Sequence, residues 1–196
     1  MENIENIKLD LKNALSEKRY LHSIGTMKAA RELAKYYGLD TEKAEIAGII
    51  HDIAKEMPDK EKLQYAKDHN IEIDKFEEKN IGLLHAKIAA NIAKEKYNFD
   101  EDIQQAIEYH TTGNPNMNLF DKIIFVADKI EETRSYPDLN YVRELAYKNI
   151  NECVIYIIEF AVKKTKERGE EPHLNSILTI NKLKEEEKIK NLYNNC

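Results

Sequence analysis

Apolar side chains recur along this chain at three- and four-residue spacing, and no stretch alternates persuasively with period two, so the pattern predicts helices throughout and an all-α fold. The clearest segment follows Ser16. In EKRYLHSIGTMKAARELAKYYG the apolar residues at 21, 24, 27, 30, 33 and 34 trace one face, and Gly38 supplies the stop. Asp40 or Thr41 caps the next segment, EKAEIAGIIHDIAKEM, which the pattern carries to Pro58. Further helices are expected over residues 81–97, from Asp100 through DIQQAIEYH to a TTGNP stop, and over 120–134. A long pattern from 140 to Gly169 reads as one helix, with Leu145, Ile150, Val154, Ile157, Ile158 and Ala161 on its apolar side. The tail restarts near Ser176 and fades into EEEKIKNLYNNC.

A chain of 196 residues with no Ser-, Gly- or Pro-rich linker and no solenoid repeat is expected to be one domain over 1–196. Its core runs from about 16 to 181, between a short N-terminal helix and a polar tail. The net charge is −6 with no long block of either sign, which disfavours nonspecific nucleic-acid binding and leaves an anionic ligand dependent on cations gathered locally. No stretch approaches the roughly 20 apolar residues of a spanning helix, and MENIENIKLDLKN lacks the basic and apolar regions of a signal peptide. The expectation is a cytoplasmic protein with no membrane partner. Cys153, inside an apolar pattern, and Cys196, at the terminus, make no disulfide framework. The long sixth helix leaves two packing solutions open, burial within the bundle or at a homodimer interface.

The pattern also contains a conflict. AGIIHDIAKEM places His51 and Asp52 in the middle of an apolar run, where burial without partners costs a few kcal/mol per polar group. His22, His85 and His110 stand in comparable settings on separate predicted helices, and Asp128 is flanked by Ile123, Ile124, Val126 and Ala127. For His69, in the polar turn AKDHNIEID, a surface role is an adequate account. One histidine on a helix is ordinarily a satisfied core residue. Four histidines and two aspartates on the apolar sides of different helices can instead converge at the centre of a bundle, and imidazole nitrogens with carboxylate oxygens are what borderline first-row metals accept. Within one helix His51 and Asp52 would stand about 100° apart and reach a cation lying between their directions.

His22, the doublet His51-Asp52 and the later Asp128, in that order, resemble the H…HD…D signature of the HD-domain metal-dependent phosphohydrolases. HDIAK at 51–55, YHTTG at 109–113 and ADKIEETR at 127–134 more narrowly resemble the YqeK-type bacterial HD proteins, which hydrolyse diadenosine tetraphosphate symmetrically. The resemblance covers about Ser16 to Asn181 and implies an HD-domain helical bundle with a di-iron centre; the ligand chemistry also admits manganese. By this match His22, His51, Asp52 and Asp128 hold one metal, and His85 and His110 the second, with Asp52 as the bridge. Asp52, Lys55, His85 and His110 are the expected catalytic residues.

Lys55 follows Asp52 by three and is expected to meet a phosphate from the same helical face. Arg19, three before His22, and Arg134, which the family match includes, could fork onto phosphate oxygens, and Thr111 could add a hydroxyl. His85, His110 and Asp128 complete the expected nucleotide contacts, together with His173 in the closing segment EEPHLNSILTIN, where the family commonly has His-Pro in place of Pro172-His173. Tyr109, Tyr136 and Tyr141 stand as stacking, lining or packing groups. The expected partner is a small nucleotide. The alternatives are another HD phosphohydrolase, such as a 5′-nucleotidase or a cyclic-dinucleotide phosphodiesterase, a nucleotide sensor without turnover, and a purely structural bundle.

Overall fold

The computed structural model describes residues 4–194, and among these it contains eleven α-helices, one 3-10 turn and no strand. In chain order they are α1 (Ile4–Ala14), α2 (Glu17–Tyr37), α3 (Thr41–Ile50), α4 (Asp59–Asp68), α5 (Lys75–Lys79), the 3-10 turn Ile81–Leu84, α6 (His85–Glu95), α7 (Glu101–Tyr109), α8 (Leu119–Ile130), α9 (Leu139–Lys148), α10 (Ile150–Glu167) and α11 (Leu174–Asn194). Cys196 lies outside the described residues, as do the first three residues of the segment read for a leader.

Local chemistry bounds α2. The Ser16 hydroxyl accepts from the Arg19 amide at its start, and Gly38, at φ +71°, closes it. α2 packs against both α3 and α8. The approach to α3 is close because Gly48 carries no side chain: a Cβ there would stand 3.0 Å from the Met27 Cα and from the Thr26 carbonyl. α8 is the central rod. Ile123, Ile124, Phe125, Val126 and Ala127 are all buried, and each large one contributes about 1.5–3 kcal/mol of burial that pins Asp128 inside the bundle. α1 docks through Ile7 and Leu11, both fully buried.

Five expected segments differ from the structure, the first being the helix over 120–134, which stops at Ile130. The helix expected to reach Pro58 ends at Ile50, and residues beyond it form a tight turn held by three-residue bonds, Ile53 N to Ile50 O (3.0 Å) and Lys55 N to Asp52 O (2.8 Å). The helix over 81–97 begins as 3-10 and becomes α-helical only at His85. The long helix over 140–169 is broken at Asn149, whose backbone is extended at φ −157° and whose side chain caps α10 by accepting from Asn151 and Glu152. That break is also held from outside, since Glu187 on α11 accepts from the side-chain amides of Asn149 (2.7 Å) and Asn151 (2.8 Å). The tail does not fade after Ser176 but forms a helix from Leu174 to Asn194, with Thr179, Ile180, Leu183 and Glu187 buried. α10 packs one face, with Cys153, Val154, Ile157 and Ile158 buried, against α8, α9 and α11. Among the described residues no helix is long and apolar enough to cross a membrane.

Candidate metal centre

Three of the four histidines stand where a helix begins or ends, not in the middle of one. His51 follows α3, His85 opens α6 and His110 closes α7. Each turns its Nδ1 onto the carbonyl three residues earlier: Gly48 (2.7 Å), Gly82 (2.6 Å) and Ile107 (2.6 Å). A carbonyl accepts, so each Nδ1 carries the proton and each Nε2 is left with a lone pair. His22, inside α2, donates from Nδ1 to Glu131 at 3.0 Å and presents its Nε2 in the same way.

These four lone pairs face one another and two carboxylates. The Nε2 atoms of His22 and His51 are 3.3 Å apart, and those of His85 and His110 are 3.2 Å apart. Asp52 stands between the two pairs and divides its oxygens between them. Its Oδ2 lies 3.4 Å from His51 and 3.6 Å from His22, and its Oδ1 lies 3.2 Å from His85 and 3.5 Å from His110. Asp128 Oδ1 completes the first group, 3.1 Å from His22 and 3.8 Å from His51. Asp52 Oδ1 is buried without a hydrogen-bond partner. Lone pairs and carboxylates crowded together in a buried space repel unless a cation lies among them. The donor set is therefore chemically suited to metal, and two groups of three, His22 with His51 and Asp128, and His51 with Asp52 and His110, are spaced to hold an ion.

The charge state agrees. Burial alone would raise the Asp52 carboxyl, but the charged and polar groups around it outweigh burial and hold the group well below the usual carboxylate range. For Asp128 burial is likewise overcome, by Lys129, His22, His51 and Arg134. Burial lowers His85, and pushes His110 down to about 3, so both imidazoles are neutral ligands at ordinary pH.

Cations surround the cluster. Arg19 donates to Asp52 Oδ2 at 2.8 Å, Arg134 pairs with Asp128, and Lys55 Nζ sits 3.1 Å from His85 Nε2. Lys55 reaches the cluster from the turn after α3, so the shared helical face expected for it is not how it gets there. The Thr111 hydroxyl lies 3.1 Å from His85 Nε2 and 3.0 Å from His110 Nε2. His173 is not in the cluster. It pairs with Asp74 at 2.9 Å and lines a cleft of about 710 Å³ with Thr111, Thr112, Phe76 and Ser176.

Two residues at the site escaped the sequence reading. Lys129 also pairs with Asp128. Glu131, 1% exposed, accepts from His22 Nδ1 and from the Thr133 amide and hydroxyl, both at 2.6 Å. Glu131 lies three residues beyond Asp128, and that spacing was the available signal.

An all-helical bundle closed around four imidazoles and two carboxylates defines a protein with a buried divalent-metal site. The HD domain model matches residues 19–133, and the chain belongs to that family. It is 37% identical over 181 residues to the symmetrical bis(5′-nucleosyl)-tetraphosphatase of Bacillus subtilis, covering 87% of this chain and 92% of that one. It is 38% identical over 184 residues to the protein of the same name from Halalkalibacterium halodurans, covering 91% and 95%. A crystal structure of a predicted HD superfamily hydrolase involved in NAD metabolism from Clostridium acetobutylicum superposes with a TM-score of 0.91 at 37% identity, over 95% of this chain and 99% of that one.

Proposed function

We propose that this protein, acting as one domain over the whole chain, hydrolyses dinucleoside tetraphosphates between the two central phosphates. Diadenosine tetraphosphate and one water become two molecules of ADP. The observation that carries this reading is the division of Asp52 between two histidine pairs, in a chain that matches proteins named for this reaction along nearly their full length. In this reading His22, His51, Asp52 and Asp128 hold one cation and His85 and His110 a second, shared through Asp52. Iron suits the mixed nitrogen and oxygen donors, with manganese next. Bound divalent metal supplies charge compensation for the polyphosphate and acidity to the attacking water.

The chain's own groups then hold and orient the substrate. Arg19 and Arg134 each keep one side on a carboxylate and remain about a third exposed, with guanidinium donors left for phosphate oxygens. Burial lowers the Lys55 ammonium, with the Asp52 carboxylate opposing it, so Lys55 is a strong hydrogen-bond donor to a phosphate beside His85. The Thr111 hydroxyl, placed between His85 and His110, contacts the same anion from the opposite helix end. The cleft beside Thr111 and His173 accepts one nucleoside diphosphate half.

Purified protein given a panel of nucleotides tests this reading. ADP as sole product from diadenosine tetraphosphate is the expected result, and orthophosphate released from nucleoside monophosphates overturns it. Asp52→Asn should abolish turnover and deplete bound metal together, as measured by elemental analysis; full activity in that variant refutes the role of Asp52.

A further inference from the structure

A second cavity, of about 210 Å³, lies between the segment after α8 and the outer face of α10. Tyr136, Val142, Ile157 and Phe160 line it together with parts of Lys129 and Arg134, and the lining is almost wholly apolar. Lys129 and Arg134 both pair with Asp128, so the cavity and the metal cluster share side chains. The Tyr136 ring is fixed as a wall by its hydroxyl, which donates to the Lys129 carbonyl at 2.9 Å. Phe160 is 42% exposed, with the Lys164 ammonium over one face of its ring at 5.8 Å.

The size is informative. Pockets that enclose a drug-sized molecule run to roughly 300–1,000 Å³, so about 210 Å³ suits a single bicyclic ring and leaves its sugar and phosphates outside. Whatever continues from that ring meets Lys129 and Arg134, two cations suited to phosphate. The larger cleft beside Thr111 reaches the His85 and His110 end of the cluster, whereas this cavity reaches the Asp128 end. Ala161 on α10 lines both. A substrate with identical nucleosides at its two ends, cut in the middle, needs two holding sites flanking one reaction centre.

We propose that the aromatic cavity bounded by Tyr136 and Phe160 is the subsite for the second nucleobase of the substrate, so that the other half does not project into solvent. This rests on the tetraphosphatase reading above. The base packs against the Tyr136 and Phe160 rings, and Lys129 and Arg134 receive the diphosphate that follows it.

The test compares diadenosine tetraphosphate with adenosine 5′-tetraphosphate, which has the same phosphates and one nucleoside fewer, in wild-type protein and in Phe160→Ala and Phe160→Trp. Phe160 is on the surface, so its truncation leaves the core intact. The advantage in kcat/KM of the dinucleotide over the mononucleoside compound should shrink roughly 5- to 100-fold in F160A, the range expected for loss of one base-on-aromatic contact, and return in F160W. An unchanged ratio in F160A overturns the subsite, as does an equal fall for both compounds. Failure of wild-type protein to form ADP is a separate result, against the tetraphosphatase reading. In that event calorimetric titration of the same two compounds decides the subsite by the same ratio, taken from dissociation constants.

Discussion

Replacing Gly25 by alanine separates helix propensity from the support of the metal site. Gly25 lies in the interior of α2, where alanine should stabilise by about 1 kcal/mol on intrinsic preference alone. The added Cβ, however, would stand 2.3 Å from Glu131 Oε2 and 3.2 Å from its Cδ. The carboxylate is buried and must move away from the position in which it accepts from His22 Nδ1 and twice from Thr133. Hydrogen bonds to a charged acceptor are worth about 1.5–3 kcal/mol each, so losing two outweighs the propensity gain and leaves a net destabilisation of about 2–5 kcal/mol. Loss of the group that orients a metal-binding imidazole typically weakens metal affinity about 10- to 100-fold. Urea denaturation of metal-free protein reads the first effect, and titration with Mn²⁺ or Fe²⁺ reads the second. A G25A protein that is about 1 kcal/mol more stable than wild type and binds metal normally would refute the reasoning. Glu131→Gln, which keeps an oxygen for His22, should be the milder variant in both assays.

Metal-free protein should lose stability as the pH falls below about 6.5. His110 is pushed down to about 3 by burial, and burial lowers His85 as well, so below the unfolded value of about 6.5 the unfolded chain takes up protons that the folded one excludes. Denaturation midpoints measured from about pH 6.5 to pH 4 should fall steadily, and a His110→Gln variant should show a shallower fall. Asn149→Ala removes the cap of α10 and a partner of buried Glu187, and should cost about 2–3 kcal/mol in urea denaturation; a loss under about 0.5 kcal/mol contradicts the bracing role assigned to α11. Burial pushes the Cys153 thiol up to about 12, so in a Cys196→Ser background no thiol should react with a water-soluble disulfide reagent until the protein unfolds.

The sequence was most legible where its chemistry is local. Ser16 and Gly38 bound α2 through bonds to their own neighbours, and the apolar run around Asp128 read as a helix and is one, buried. His22, His51, Asp52, His85, His110 and Asp128 stood out because polar groups in apolar runs need partners, and all six meet in one cluster. The apolar pattern gave no warning that α3 stops at Ile50, because the side chains beyond it remain buried in the turn as they would in a helix. The histidine rings that take up their own carbonyls leave no trace in periodicity.

From residue types and spacing alone came the helices, the donor atoms and the kind of ion they suit, since each depends on contacts a few residues long. Only the tertiary structure decided which oxygen of Asp52 faces which histidine pair, that Glu131 stands behind His22 beneath a glycine, and that His173 lies in a cleft away from the cluster. Those arrangements join residues from separate helices. Their distances are set by how the helices pack, and no pattern along a single segment encodes them.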